Sequence, residues 1–192
     1  MPVKISAVIN TFNEEQNIAR VLNSVAWCDE IIVCDMQSDD DTAVIAKKMG
    51  AIVIFHKRMN YVEPARNFTI SKASGDWILI VDPDEEIPEG LAEKLRALSD
   101  EDNSVLTFVE IPRQNIIFGK WVKTSMWWPD YNIRFFKAGK VIWSNAIHRP
   151  PKTEGQGIKL PEEERYAIVH HHYDTLTQFL ERMNRYATVQ AD

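Results

Sequence analysis

The sequence predicts an α/β domain, a mostly parallel central sheet with helices on both faces. Three observations predict it. First, β-branched apolar runs alternate with stretches of helical periodicity from the start of the chain to about residue 98. Strand, helix and strand repeated in this way build a parallel sheet, and right-handed crossovers put helices on both sides. Second, two of the apolar runs end in aspartate, at Asp35 and Asp82, so two acids share one rim. Ligands in open α/β sheets bind outside the carboxyl ends of the strands. Third, 192 residues with 45% hydrophobic and 26% charged content fit one globular domain with a real core.

Taken in order, Val3 to Ile9 reads as the first strand and Asn10 to Asn13 as a turn. Asn13, with Gln16 three residues on, predicts a capping box for a helix whose apolar face is Ile18, Val21, Leu22 and Val25. Glu30 to Asp35 is the second strand, and Met36 to Thr42 a polar loop. Ser38 or Asp39 is expected to cap a helix running to Met49, with Gly50 as its stop. Ala51 to Phe55 is the third strand. A helix from Pro64 to Ala73 carries Arg66 and Asn67 and ends at Ser74-Gly75. Trp77 to Val81, apolar throughout, reads as a strand covered on both faces. Pro88 falls where an N1 proline belongs, ahead of a stripe of Leu91, Leu95 and Leu98.

The second half changes character. Val105 to Pro112 reads as a strand, and 114 to 129 as an irregular aromatic stretch with Phe118, Trp121, Trp127 and Trp128. Ile133 to Phe136 and Val141 to Trp143, joined by Lys137-Ala138-Gly139-Lys140, predict a hairpin. Tyr166 to Val169 predicts one more strand, running into His170-His171-His172. From Leu176 a helix carries Phe179, Leu180, Met183 and Tyr186 on one side and reaches Asp192 without a stop signal, so the natural chain is expected to continue.

Composition narrows the function. A formal net charge of −6 argues against a general nucleic-acid binder. Cys28 and Cys34 form neither a metal nor a disulfide pattern, which makes a reducing cytosol the default. The sequence opens on no signal peptide, and no apolar run reaches the length of a membrane span. G-x-G-x-x-G and Walker A loops are both absent.

The chemistry concentrates in Asp82-Pro83-Asp84-Glu85-Glu86. Carboxylates this close repel unless a cation sits among them, and hard oxygen ligands favour Mg²⁺, Mn²⁺ or Ca²⁺ over zinc. The same residues also suit a solvated acidic turn before a helix. An EF-hand is disfavoured, because Ile87 stands where glycine is required and a strand precedes the loop. Asp35 fits either a loop cap or a ligand contact at a strand end. Arg66, near a helix start, fits a solvated arginine or a phosphate contact. Asp130 follows Trp127-Trp128-Pro129 and fits a surface turn or a sugar-binding acid between aromatic platforms. His148 alone is more often structural than a ligand. Residues 170–172 cannot all reach one ion from a strand, since neighbours point to opposite faces.

These motifs resemble glycosyltransferase family 2, inverting nucleotide-sugar transferases with a Rossmann-like A-type fold. Asn10-Thr11-Phe12-Asn13-Glu14-Glu15 resembles the family's P-x-Y-N-E-E, and Ile31 to Thr42 its I-V-V-D-x-x-S-x-D-x-T. Ala65-Arg66-Asn67, Gly75-Asp76-Trp77 and Asp82-Pro83-Asp84 resemble A-R-N, G-E-Y/W and D-A-D. Pro129-Asp130-Tyr131-Asn132-Ile133-Arg134 lies where members have E-D-x-D-L-x-x-R, without the first glutamate. The 130–148 segment and the helix after Tyr173 are closest to bacterial enzymes that add glucose to the lipopolysaccharide core.

The resemblance implies one domain over 1–192. Residues 1–100 would form a nucleotide-sugar half, 101–175 an acceptor half and 176–192 a C-terminal helix. It implies nucleoside contacts from Thr11, Phe12, Glu14 and Asp35, with uracil favoured by Asp35, and nucleotide contacts from Arg66 and Asp82. Asp84, with His148, would hold Mg²⁺ or Mn²⁺, and Asp130 would be the catalytic base. The implied partners are a UDP-sugar donor, UDP-glucose first, and a glycan or glycolipid acceptor, with lipopolysaccharide core among the candidates. The implied place is cytoplasmic, with peripheral contact at the inner membrane surface. The rival readings are a non-catalytic sugar-nucleotide or glycan-binding module and a nucleotidyltransferase.

Overall fold

The strand β1 (Ile5–Thr11) is buried along its whole length, as a central strand covered on both faces must be. The computed structural model describes residues 2–59, 62–101, 105–144, 149–180 and 183–184. After β1 come α1 (Ile18–Ser24), β2 (Glu30–Asp35), α2 (Thr42–Lys48), β3 (Ile52–Phe55), α3 (Glu63–Ile70) and β4 (Trp77–Ile80). Then follow β5 (Glu85–Glu86), α4 (Glu89–Asp100), β6 (Leu106–Ile117), β7 (Lys120–Trp121) and β8 (Asp130–Lys137). The rest are β9 (Val141–Ile142), β10 (Lys152–Thr153), β11 (Gln156–Lys159) and β12 (Ile168–Tyr173), with helical residues at 176–180.

Among the described residues, ten strands form one sheet with the path β3-β2-β1-β4-β8-β6-β12-β5, and β11 and β7 also pair with β6. The first four strands are parallel; β8 then pairs antiparallel with both β4 and β6. That reversal matters for the site. Running against β4, β8 starts beyond the C-terminal end of β4, so Asp130 reaches the rim where Asp82 stands.

Strand alternation sorts the core into two layers. Ile5, Ala7, Ile9, Leu79 and Phe135 face α1 and α4, meeting Val21, Leu22, Leu91 and Leu95. Val8, Ile78, Ile80 and Phe136 face the other way, toward Ile70, Ala73 and Trp143. Trp77 and Phe135 stack at 4.6 Å across the β4–β8 pair.

Four local expectations are corrected. Residues 133–143 are not a hairpin: β8 is drawn into the sheet by Phe135 and Phe136, both fully buried, and β9 pairs with β10 instead. Asn13 does not cap α1. It has a positive φ of 55° and bridges to the next loop, donating its N–H to Ser38 Oγ and accepting from the Asp39 N–H. The start of α2 is closed by Asp40 rather than Ser38 or Asp39, through the N–H and hydroxyl of Thr42. Pro88 is the N-cap of α4, one residue before its expected place.

Candidate functional site

Along one rim stand the ends of β2, β1 and β4 in that order. Thr11 and Asp35 are register partners at the ends of β1 and β2, both buried. Ser38 donates both its N–H (2.8 Å) and its hydroxyl (2.6 Å) to the Asp35 carboxylate, which fixes that side chain against the loop. Thr11 Oγ1 is buried with no hydrogen-bond partner. Beside them Phe12 carries the Arg58 guanidinium 4.6 Å over its ring, and Arg58 also donates to Gln37 O and pairs with Asp39. Glu14 receives a hydrogen bond from Asn17 Nδ2 at 2.7 Å, and its N–H donates to Thr42.

At the end of β4 the chain makes a tight turn. The Glu85 N–H donates to Asp82 O at 2.9 Å, and Pro83 supplies a preset φ inside the turn. Asp82 is gripped from two sides, by Arg66 on Oδ1 at 3.2 Å and by Arg134 on Oδ2 at 2.6 Å. Burial pushes its carboxyl pKa up, but Arg134 and Arg66 outweigh that and hold it well below the usual carboxylate range. Glu85 is fully buried and accepts from the Asp82 N–H, from Arg134 at 2.8 Å and from Arg113 at 3.3 Å. Arg113 then holds Asp130. The result is an alternating chain of charges, Arg66, Asp82, Arg134, Glu85, Arg113 and Asp130, that ties the strand-end acids to the β8 acid.

Asp130 Oδ2 accepts from Arg113 Nε at 2.8 Å and Nη2 at 2.6 Å, and from Asn115 Nδ2 at 3.2 Å. Oδ1 takes a 3.2 Å hydrogen bond from Asn132. Burial raises the pKa of this carboxyl; Arg113 and the hydrogen bonds from Asn115 and Asn132 reverse the shift and leave it lowered.

Asp84 faces the strand β12. Its carbonyl accepts from the His171 N–H at 2.8 Å, and its Oδ2 lies 3.5 Å from His170 Nε2. Asn115 uses its Nδ2 on Trp127 O and Asp130, so its Oδ1 is the acceptor facing His170 Nδ1 at 2.6 Å. That pattern places a hydrogen on His170 Nδ1 and turns Nε2 toward Asp84. His172 Nδ1 lies 3.1 Å from the same Nε2, while His171 points to the opposite face, toward Glu86 at 3.5 Å. Adjacent residues therefore do part company as strand geometry requires. Among the described residues no group of three or more His, Cys, Asp and Glu converges as a ready metal cage.

The structure thus joins Arg66, Asp82 and Asp130 by side-chain contacts and puts Thr11 and Asp35 on the same rim. His148 lies outside the described residues. Sequence reasoning missed Arg113, Asn115 and His170 as parts of the site. Arg113 and Asn115 lie two residues apart on β6, a spacing that puts both on one face, but nothing in the sequence names the partner strand.

The chain matches the family model for glycosyl transferase family 2 over residues 6–153. An uncharacterized glycosyltransferase of Rickettsia conorii is 43% identical over 93 residues, 48% of this chain and 33% of its own length. The poly(ribitol-phosphate) beta-N-acetylglucosaminyltransferase TarS of Staphylococcus aureus is 26% identical over 175 residues, 84% of this chain and 30% of its own. The crystal structure of TarS residues 1–349 with UDP superposes with a TM-score of 0.65 over 96% of this chain and 64% of that one, at 19% identity. Its complex with UDP-GlcNAc gives a TM-score of 0.54 at 28% identity, over 64% of this chain and 38% of that one. The chain spans about one third of the length of the curated relatives it matches.

Proposed function

The chain belongs to glycosyl transferase family 2, and on that premise we propose that it moves a sugar from a UDP-sugar to a hydroxyl of a glycan or glycolipid acceptor, with inversion at the anomeric carbon. The observation that carries this reading is the charge chain from Arg66 to Asp130. It ties the strand-end acid Asp82, taken here as donor-side, to Asp130, taken as acceptor-side, and such proximity supports a single displacement. The TarS complex with UDP-GlcNAc supports a UDP-sugar donor. UDP-glucose remains the first donor to try, and lipopolysaccharide core the first acceptor. The same reading takes residues 1–192 as one catalytic domain, working in the cytoplasm at the inner membrane surface.

In this assignment Thr11, Phe12, Glu14 and Asp35 hold the nucleoside. The buried, unpartnered Thr11 Oγ1 at the end of β1 supports a polar ligand there. Arg66 and Asp82 flank the diphosphate. The pair Asp84 Oδ2 and His170 Nε2, 3.5 Å apart, fits two ligands of a divalent cation, with Asn115 orienting the imidazole through Nδ1. His148 is kept as a further ligand of this site. Bound Mg²⁺ or Mn²⁺ would neutralise charge on the departing diphosphate. Asp130 takes the proton of the acceptor hydroxyl through Oδ1, the oxygen that Arg113 leaves alone. An α-linked donor attacked from the opposite face yields a β-glycoside.

The test is UDP release from UDP-glucose and UDP-GlcNAc with Mn²⁺, alongside calorimetry of UDP binding. Wild type should release UDP, and Asp84→Ala should lose metal-dependent release while keeping its melting temperature. Tight UDP binding without release from any donor, in the presence of a glycan acceptor, would instead support the binding-module reading.

A further inference from the structure

The end of β12 is surrounded by apolar and aromatic side chains that the fold leaves facing water. The Phe118 N–H donates to Tyr173 O at 2.7 Å, so the β6–β7 turn lies against this end. Trp127 meets His172 at 5.4 Å on one side, and Tyr173 meets Phe179 at 5.1 Å on the other. Around these contacts Phe118 is 49% exposed, Met126 93%, Leu176 62% and Leu180 52%. In the sequence Leu176, Leu180 and Met183 are spaced at i, i+4 and i+7, the spacing of one helical stripe, and Met183 is exposed as well. Exposed large apolar groups in a cluster mark an interaction surface, where scattered ones do not.

Charge says what the surface takes. The chain carries −6 overall, yet residues 118–129 hold Lys120 and Lys123 and no acid, and the 174–180 segment adds one exposed acid, Asp174. Lys123 Nζ sits 3.7 Å over the Trp121 ring, and Trp121 meets Trp128 edge-on at 4.9 Å. Indoles beside lysines, with protruding Met, Phe and Leu, suit the boundary between headgroups and acyl chains. A second copy of the chain would bring lysines against lysines. An anionic bilayer brings the opposite charge and accepts the apolar groups.

The surface also adjoins the site. Asn115 Nδ2 donates to Trp127 O at 3.0 Å and to Asp130 Oδ2 at 3.2 Å, so the loop that carries Met126 is one side chain away from the acceptor carboxylate. We propose that this face, Phe118, Lys120, Lys123, Met126, Leu176 and Leu180, docks on an anionic lipid surface and brings Asp130 to acceptors displayed there. The second clause rests on the transferase reading; the first does not.

The experiment is vesicle flotation of the chain without nucleotide, using phosphatidylcholine with and without phosphatidylglycerol. Binding is expected only to the anionic vesicles and is expected to fade with salt. Lys120→Glu with Lys123→Glu should weaken it about tenfold or more. Phe118→Ser with Met126→Ser and Leu180→Ser should do the same through the apolar arm. Both variants should keep the wild-type melting temperature and UDP affinity. Absence of binding, equal binding to neutral vesicles, or binding untouched by either variant overturns the docking face. So does light scattering that shows a dimer lost in these variants, since the face would then be covered by a second copy. UDP binding measured separately tells a failed docking face from a failed donor site.

Discussion

Arg113 holds Asp130 by one oxygen: its Nε and Nη2 both donate to Oδ2, at 2.8 and 2.6 Å, while Oδ1 takes only a 3.2 Å contact from Asn132. The clamp orients the carboxylate and lowers its pKa, so Asp130 stays ionised, and in the proposed reaction its less engaged oxygen would take the acceptor proton. Asp130→Asn should slow transfer by about 10²–10⁴ with UDP affinity nearly unchanged. Arg113→Gln removes the cation that lowers the Asp130 pKa, so the acid limb of the kcat/KM profile should move to higher pH. A wild-type rate for Asp130→Asn would show that the base is elsewhere.

Glu85 is the centre of the charge chain and its most enclosed member, with no exposed surface. Its carboxylate answers two guanidinium groups and one backbone N–H. Glu85→Ala leaves Arg113 and Arg134 without their shared anion. Breaking a buried pair in this way costs about 3–5 kcal/mol. Urea denaturation should show the midpoint fall with an unchanged slope. A loss under about 1 kcal/mol would mean that Asp82 and Asp130 carry the arginines without it.

The parallel half of the fold was legible because its signals are local. Apolar runs, helical periodicity and Gly50 at a φ of 87° each mark their own element. The second half was not, because its pairings are long-range. Nothing in Ile133 to Phe136 says that the strand inserts between β4 and β6 rather than pairing with Val141 and Ile142; two buried phenylalanines decide it from afar. The site divides the same way. Acids at strand ends could be read from the chain, but their counter-ions Arg113 and Arg134 sit on strands whose register the sequence does not state.

Gly75 tests one of the local motifs. It is buried just before β4, and its N–H donates to Ser6 Oγ at 2.9 Å. A Cβ there would meet Ser6 Oγ at 2.6 Å, the Ser6 backbone nitrogen at 2.8 Å and Lys4 O at 2.9 Å. Two of those neighbours are backbone of β1 and its lead-in, which cannot rotate away. Gly75→Ala should therefore cost about 1–3 kcal/mol by forcing β4 off β1. Thermal melting checks this, and an unchanged midpoint would mean that the strand pair tolerates the shift.

The charge chain also fixes how stability should follow acidity. Asp82 and Asp130 both have lowered pKa values in the folded state, each because nearby arginines outweigh the burial that would raise it. Near the ordinary carboxylate pKa of about 3.9 the unfolded chain therefore binds more protons than the folded one, and stability rises with pH there. Their contribution is complete above that value and drains away as pH falls toward the folded pKa values. Melting temperature should hold steady from neutral pH to about 5 and then drop steeply below about 4. The drop should be shallower in a variant with Asp82→Asn and Asp130→Asn, which has lost these two titrating carboxylates. Equal slopes in the variant and the wild type would assign acid unfolding to other carboxylates, such as Asp29 and Glu30, whose pKa values are also lowered.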